Sequence, residues 1–207
     1  MLERGQVESR AVAPTYLGPL DRALGGGFGF GELVTAAAGT SVGKTALMAR
    51  ISTEWSKRGN PVGIVLVEGT REQWMHRVAA CEAGVSLVYA QEHGWGPGEK
   101  ESYWTTVENL EMYPLHFADP APKTPQAIEQ WMRLKARREG VERFIVDHID
   151  RVQFPVRERH DLGVRDAVTR WGNLATEEMA VVVALSQVNR QNEWHPSLSQ
   201  LRESGAK

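Results

Sequence analysis

Ala38-Gly39-Thr40-Ser41-Val42-Gly43-Lys44-Thr45 is the stretch on which the fold of this chain turns. An apolar run at 33–37 precedes it, short enough for a buried strand. Leu47, Ile51 and Trp55 follow at i, i+4, i+8, the apolar stripe of a helix that Gly59 and Asn60 stop. Strand, glycine-bearing loop and helix in that order make a phosphate cradle. Glycine lets the backbone wrap closely, so that successive N–H groups face phosphate oxygens. The helix adds the positive end of its dipole. Lys44 supplies a cation for the β- and γ-phosphates of ATP, and Thr45 a hydroxyl for Mg²⁺. The nucleotide-binding set is therefore Gly39, Thr40, Ser41, Val42, Gly43, Lys44 and Thr45. Ala38 stands where the strict pattern has glycine. A glycine-rich turn with an incidental lysine is the alternative, and the strand-loop-helix context argues against it.

Outward from this loop, strands and helices alternate. Before it, residues 1–14 have no periodicity and read as an arm; Gly25, Gly26, Gly27, Gly29 and Gly31 then make a turn. After it, 62–67 is a second buried strand. Thr70 and Gln73 form a capping box for a helix carrying Trp74, Val78 and Cys81 on one face. Glycines and a proline place a surface loop at 91–100, and 115–118 is a third short strand. Thr124 and Pro125 start a helix that Gly140 ends. A strand at 144–147 ends in a carboxylate, and the arginine-rich 151–160 reads as loop. Val164, Val168, Trp171 and Ala175 mark another helix, 180–185 is an apolar strand, and 186–207 is polar and reads as loop with a turn of helix. This order predicts an α/β fold, a mostly parallel sheet with helices on both faces. Ligands of such sheets bind beyond the carboxyl ends of the strands, where Lys44, Glu68, Asp147 and Gln187 all fall.

Each of these has a chemical reading. Asp147 can hold the water shell of Mg²⁺ opposite Thr45; the alternative is an ordinary strand-end aspartate. His148 occupies the slot where many ATPases carry the catalytic glutamate, so the base comes from elsewhere. Glu68 is the first candidate, at a strand tip facing the γ-phosphate, with Asp150 and Glu203 next. Gln187 either senses the γ-phosphate or merely ends its strand. His76, His93, His116, His160 and His195 lack metal-ligand spacing and read as structural or surface residues. Most tryptophans fall on apolar helix faces and read as core, with Trp194 in the polar tail.

Composition sets limits. The 207 residues suit one domain, and 42% apolar content suffices for a core. A net charge of −2 argues against coating nucleic acid with the whole surface, while leaving room for a local basic strip. Cys81 is the only cysteine, which fits a reducing cytoplasm. Residues 1–10 lack the apolar stretch of a signal peptide, and no apolar run approaches the ~20 residues of a membrane span, so no membrane role is expected.

The chain resembles the RecA-like motor domain of DnaB-type replicative helicases over about residues 15–205. The motifs that carry the resemblance are Leu20-Asp21-Arg22 with the following glycines, Ser41 to Thr45, Glu68 with Glu72-Gln73, Asp147, Ala184-Leu185-Ser186-Gln187 with Arg190, and Leu201-Arg202-Glu203-Ser204-Gly205. His148 and Asp150 replace the family's usual Tyr and Gln. The resemblance implies a RecA-like P-loop NTPase at 15–207 behind the arm at 1–14, using ATP and Mg²⁺. Lys44, Glu68 and Gln187 are its catalytic set, and Thr45 and Asp147 its metal set. It also implies a homo-oligomeric ring, a hexamer in the complete protein, that moves on single-stranded DNA through Arg190, Arg202, Glu203 and Gly205, with other replication proteins as partners. The family's primase-contacting N-terminal domain, final strands and arginine finger have no counterpart in these residues. This chain alone is therefore expected to hydrolyse ATP weakly, unless Arg151, Arg157, Arg159 or Arg190 serves a neighbour. The rival expectations are a RecA-like ATPase that remodels a protein partner, and a nucleotide-binding subunit with little hydrolysis.

Overall fold

A computed structural model describes residues 11–39, 42–119, 121–154 and 160–187. In chain order its elements are β1 (Val12–Ala13), α1 (Gly18–Ala23), β2 (Phe28–Gly29), β3 (Glu32–Ala38), α2 (Lys44–Lys57), β4 (Val62–Leu66), α3 (Arg71–Ala83), α4 (Leu87–His93), α5 (Glu99–Glu111), β5 (Leu115–Phe117), α6 (Pro125–Glu139), β6 (Arg143–Asp147), a 3₁₀ turn (Ile149–Arg151), α7 (His160–Glu177) and β7 (Val181–Gln187). β3, β7, β6, β4 and β5 hydrogen-bond in that order into one sheet, parallel throughout. The expected α/β architecture is the observed one.

β4 and the central residues of β6 and β7 are buried and apolar because both faces of the sheet are covered there. On one face, Val181, Val183 and Leu185 of β7 and Ile64 of β4 pack with Met48, Ile51 and Trp55 of α2 and Trp74 and Val78 of α3. On the other, Val182, Ala184, Phe144 and Val146 pack with Ile128 and Met132 of α6 and Trp171 and Leu174 of α7. The alternation along each strand is the two-residue period of a pleated sheet.

The helix ends follow the sequence closely. Thr70 Oγ1 accepts from Gln73 N at 3.3 Å while Gln73 Oε1 accepts from Thr70 N at 3.2 Å, the reciprocal pair of a capping box. Thr124 caps α6, and Gly140, at φ 64°, ends it.

The helix faces need correction. Leu47 is exposed and Met48 takes its place beside Ile51 and Trp55. Cys81 is exposed on α3. Val168 is exposed on α7, where Ala167 and Leu174 join Trp171 and Ala175 in the core. Steps of four residues drift about 40° per step around a helix, so a stripe of consecutive +4 steps slides off the sheet. The buried stripes mix +3 and +4 steps. The expected loop at 91–100 is also shorter: α4 runs to His93 and α5 starts at Glu99. α5 buries only Tyr103 and Leu110, too sparse a pattern to reveal a helix. Ser186 and Gln187 belong to β7 rather than to a loop.

Val12–Ala13, at the end of the aperiodic N-terminal segment, pairs antiparallel with Phe28–Gly29. Trp55 Nε1 donates to Pro14 O at 2.6 Å, tying this segment to α2. Among the described residues no helix is long and apolar enough to cross a membrane.

One close approach fixes a residue choice in the middle of the sheet. Gly63 of β4 is the register partner of Phe144 on β6, and the fully buried Phe144 ring lies over it with Trp131 behind. A Cβ at Gly63 would run into that ring. Gly63→Ala is expected to destabilise the domain by about 1–3 kcal/mol through overpacking. Chemical denaturation measures this, and an unchanged midpoint would contradict the packing described.

Candidate nucleotide-binding site

The site lies where β3, β4, β6 and β7 end. β3 stops at Ala38 and α2 begins at Lys44. Between them Gly43 sits at φ 98°, a left-handed conformation that a side chain would strain. Among the described residues no side chain caps the start of α2, which leaves its first N–H groups open to an anion. Lys44 Nζ donates to Ala38 O at 2.5 Å and Gly39 O at 2.7 Å, holding the ammonium at the mouth of the loop. Burial lowers the Lys44 pKa, against the opposing pull of Asp147 and Asp150.

Thr45 Oγ1 donates to Asp147 Oδ2 at 2.9 Å, joining the loop helix to the end of β6. Asp147 is 3% exposed. Burial raises its pKa, opposed by His148, the Thr45 hydrogen bond, Arg77 and Lys44. Its other oxygen, Oδ1, is buried without a hydrogen-bond partner among the described residues and lies 3.3 Å from His148 Nε2. A buried carboxylate oxygen left unbonded beside a threonine hydroxyl fits the water shell of Mg²⁺, which keeps several waters and takes few protein ligands.

Glu68 stands two residues beyond β4, exposed, and its Oε2 accepts from Arg151 Nε at 2.9 Å. The tip of β4 is held to β6 by Val67 N donating to Asp147 O at 2.7 Å. Gln187 closes β7 in register with Ala38, so it lies beside the root of the phosphate loop. Its N–H donates to Asp150 Oδ2 at 2.7 Å, and Ser186 Oγ donates to Asp150 Oδ1 at 3.3 Å. Asp150, next after Glu68 as a candidate base, thus acts as a tie between the turn after β6 and the end of β7. One cleft of 690 Å³ takes in Lys44, Thr45, Glu68, Asp147 and Gln187.

Comparison with known proteins matches nearly the whole chain. The family model for the DnaB-like helicase C terminal domain matches residues 13–207. The chain belongs to that family. Among curated DnaB-family relatives, the replicative DNA helicase DnaB of Synechocystis is 29% identical over 191 residues, covering 88% of this chain and 22% of the relative. That of Geobacillus stearothermophilus is 27% identical over 204 residues, covering 93% and 44%. The chain thus spans less than half the length of either. A solved DnaB-like replicative helicase, described with its interactions with primase, superimposes with a TM-score of 0.83 at 21% identity, covering 98% of this chain and 51% of that one. A second solved structure, described as an ATPase domain, gives the same TM-score and identity over 96% and 73%.

Within this DnaB-family domain, sequence reading overlooked two cations of the cleft. Arg77 projects from α3 one turn after Gln73, and both line the cleft. The i, i+4 spacing was the available signal. Arg151, expected only as a candidate donor to a neighbour, lines the cleft of its own chain. Trp55, Trp74 and Trp171 are core, but Trp95 and Trp104 are exposed, around a second hollow of 480 Å³ that borders Gln73 and Arg77. His76 bonds the Tyr103 hydroxyl, and His116 pairs with Glu139 at 2.8 Å. Thr40, Ser41, Arg190, Arg202, Glu203, Gly205 and Trp194 lie outside the described residues.

Asp147 yields a test with a defined sign. Its folded-state pKa is raised, so burying the carboxylate penalises the empty folded domain at neutral pH, and the penalty falls away as pH drops from that pKa to the ordinary carboxylate pKa. Asp147→Asn keeps an acceptor for Thr45 and is expected to raise the melting temperature at neutral pH. The gain should shrink as pH approaches the ordinary carboxylate range of about 4. Thermal melts across pH measure it; a lower melting temperature at neutral pH would contradict the assigned desolvation.

Proposed function

We propose that this chain is the ATP-driven motor domain of a ring-forming helicase that translocates on single-stranded DNA. The observation that carries the proposal is the bond from Thr45 to the buried, half-satisfied carboxylate of Asp147, directly beside Lys44. A phosphate-loop lysine, a hydroxyl and a strand-end carboxylate in one cleft suit a nucleoside triphosphate with Mg²⁺. Thr45 and Asp147 would hold Mg²⁺, whose charge neutralises the β- and γ-phosphates. Lys44 leaves the Ala38 and Gly39 carbonyls to meet the same phosphates. Glu68 orients the attacking water and takes its proton. Gln187, tied through its N–H to Asp150, passes loss of the γ-phosphate to the segment that follows β7.

That segment carries Arg190, Arg202, Glu203 and Gly205, which we assign to the DNA path. A guanidinium and glycine N–H groups grip phosphates without reading bases, so contact is independent of sequence. The motor domain is assigned to 15–207, with Val12–Ala13 of the preceding arm paired onto it; the assembly is a homo-hexameric ring in the cytoplasm, and other replication proteins are its partners. Family membership and the primase interaction described for a structural neighbour support this reading.

The test is ATP turnover with and without single-stranded DNA. Turnover should be stimulated by DNA, and the stimulation should fall as salt is added. Glu68→Gln should bind ATP at least as tightly as wild type while single-turnover hydrolysis drops about 10²-fold or more. Turnover indifferent to DNA would favour a protein-remodelling ATPase, and a near-normal Glu68→Gln rate would move the base elsewhere.

A further inference from the structure

Arg151 is the last residue of the 3₁₀ turn that follows β6, and its backbone is well anchored. Its N–H donates to His148 O at 3.2 Å, and the flanking Ile149 and Val152 are buried. Asp150 beside it receives Ser186 Oγ and Gln187 N. The Arg151 side chain, by contrast, is 62% exposed and meets a Glu68 carboxylate that is 54% exposed. An ion pair this open to solvent holds weakly and exchanges readily. Both partners line the cleft that contains Lys44, Thr45 and Asp147.

The other cations of the cleft are placed differently. Lys44 is drawn to the loop carbonyls of Ala38 and Gly39, and Arg77 acts on the charge of Asp147. Among the described residues, Arg151 is the cation that pairs with the candidate base. In this arrangement the Glu68 carboxylate is engaged by the guanidinium and not free to face a water molecule. A terminal phosphate offers that guanidinium more negative charge than one carboxylate, with oxygens spaced for two parallel bonds.

We propose that Arg151 exchanges partners: it holds Glu68 when the site is empty and turns to the γ-phosphate when ATP binds. The exchange frees Glu68 for the attacking water and gives the site, from within its own chain, a contact that distinguishes ATP from ADP. The proposal rests on the nucleotide reading above and adds to it, beside Gln187, a second residue that senses the third phosphate. ADP, lacking that phosphate, leaves the Arg151–Glu68 pair intact.

The experiment is a set of binding titrations with Mg²⁺ and fluorescently labelled ADP or the β,γ-imido analogue of ATP. The proteins are the full chain as wild type, Arg151→Gln, Arg151→Lys, Glu68→Gln and the Glu68→Gln/Arg151→Gln double variant. Arg151→Gln should weaken the ATP analogue about tenfold or more, the worth of a charge-assisted contact, and ADP by less than about twofold. Arg151→Lys should fall between it and wild type. Glu68→Gln should tighten the ATP analogue when Arg151 is present and leave it unchanged in the double variant. Equal losses for both nucleotides, or no loss for either, would overturn the exchange while leaving the nucleotide site standing. Failure of the wild type to bind either nucleotide would overturn the site and the exchange together.

Discussion

The bond from Thr45 Oγ1 to Asp147 Oδ2 joins residues 102 positions apart, and the chemistry of the molecule depends on it. It spans the phosphate loop and the end of β6, which are not neighbours in the sheet: β7 lies between β3 and β6. Parallel pairing makes the bond possible, because it delivers every strand's carboxyl end to the same edge. Ala38 is opposite Gln187 and Leu66 is opposite Asp147, so Lys44, Glu68, Asp147 and Gln187 converge without any long loop having to carry them. The apolar strand centres and the helices on both faces fix that edge in place.

The bond also carries a cost. A carboxylate at 3% exposure gives up hydration, and one hydroxyl on Oδ2, with no hydrogen bond to Oδ1 among the described residues, does not restore it. The raised pKa of Asp147 and the lowered pKa of Lys44 express the same desolvation on opposite charges. Under the proposed function this cost is the empty-state counterpart of a site that takes a polyphosphate and a divalent cation, in the manner of functional sites generally. Around it, the cleft lining carries Lys44, Arg77 and Arg151 against Glu68 and Asp147, an excess of positive charge. In the proposed exchange a polyphosphate draws on that excess, and the exposed Arg151–Glu68 pair is the contact that gives way most cheaply.

Much of this was legible in the sequence where a short motif states its own geometry. The loop before Lys44, the Thr70–Gln73 capping box, the Thr124–Pro125 start and the apolar strands each required only a few adjacent residues. What escaped depended on longer or sparser information. Leu47 and Met48 differ by one position, and only packing against β4 and β7 decides which is buried. α5 shows two buried residues in thirteen, below what periodicity can detect. The pairing of Val12–Ala13 is two residues long and has no pattern of its own. Arg77 and Arg151 are ordinary surface arginines until α3 and the 3₁₀ turn bring them to the edge where the strands end.

In the proposed function this cleft is a phosphate site organised by Lys44. Its most direct measurement is calorimetric titration of Mg²⁺–ATP into wild type and Lys44→Ala, with circular dichroism to establish that both are folded. Lys44 is only half-buried, and its partners Ala38 O and Gly39 O lie at a solvent-open cleft, so its loss leaves the core untouched. Saturable binding of one nucleotide per wild-type chain is expected, with affinity lower by about tenfold or more in the variant. Equal affinity for ATP in the two folded proteins would contradict it.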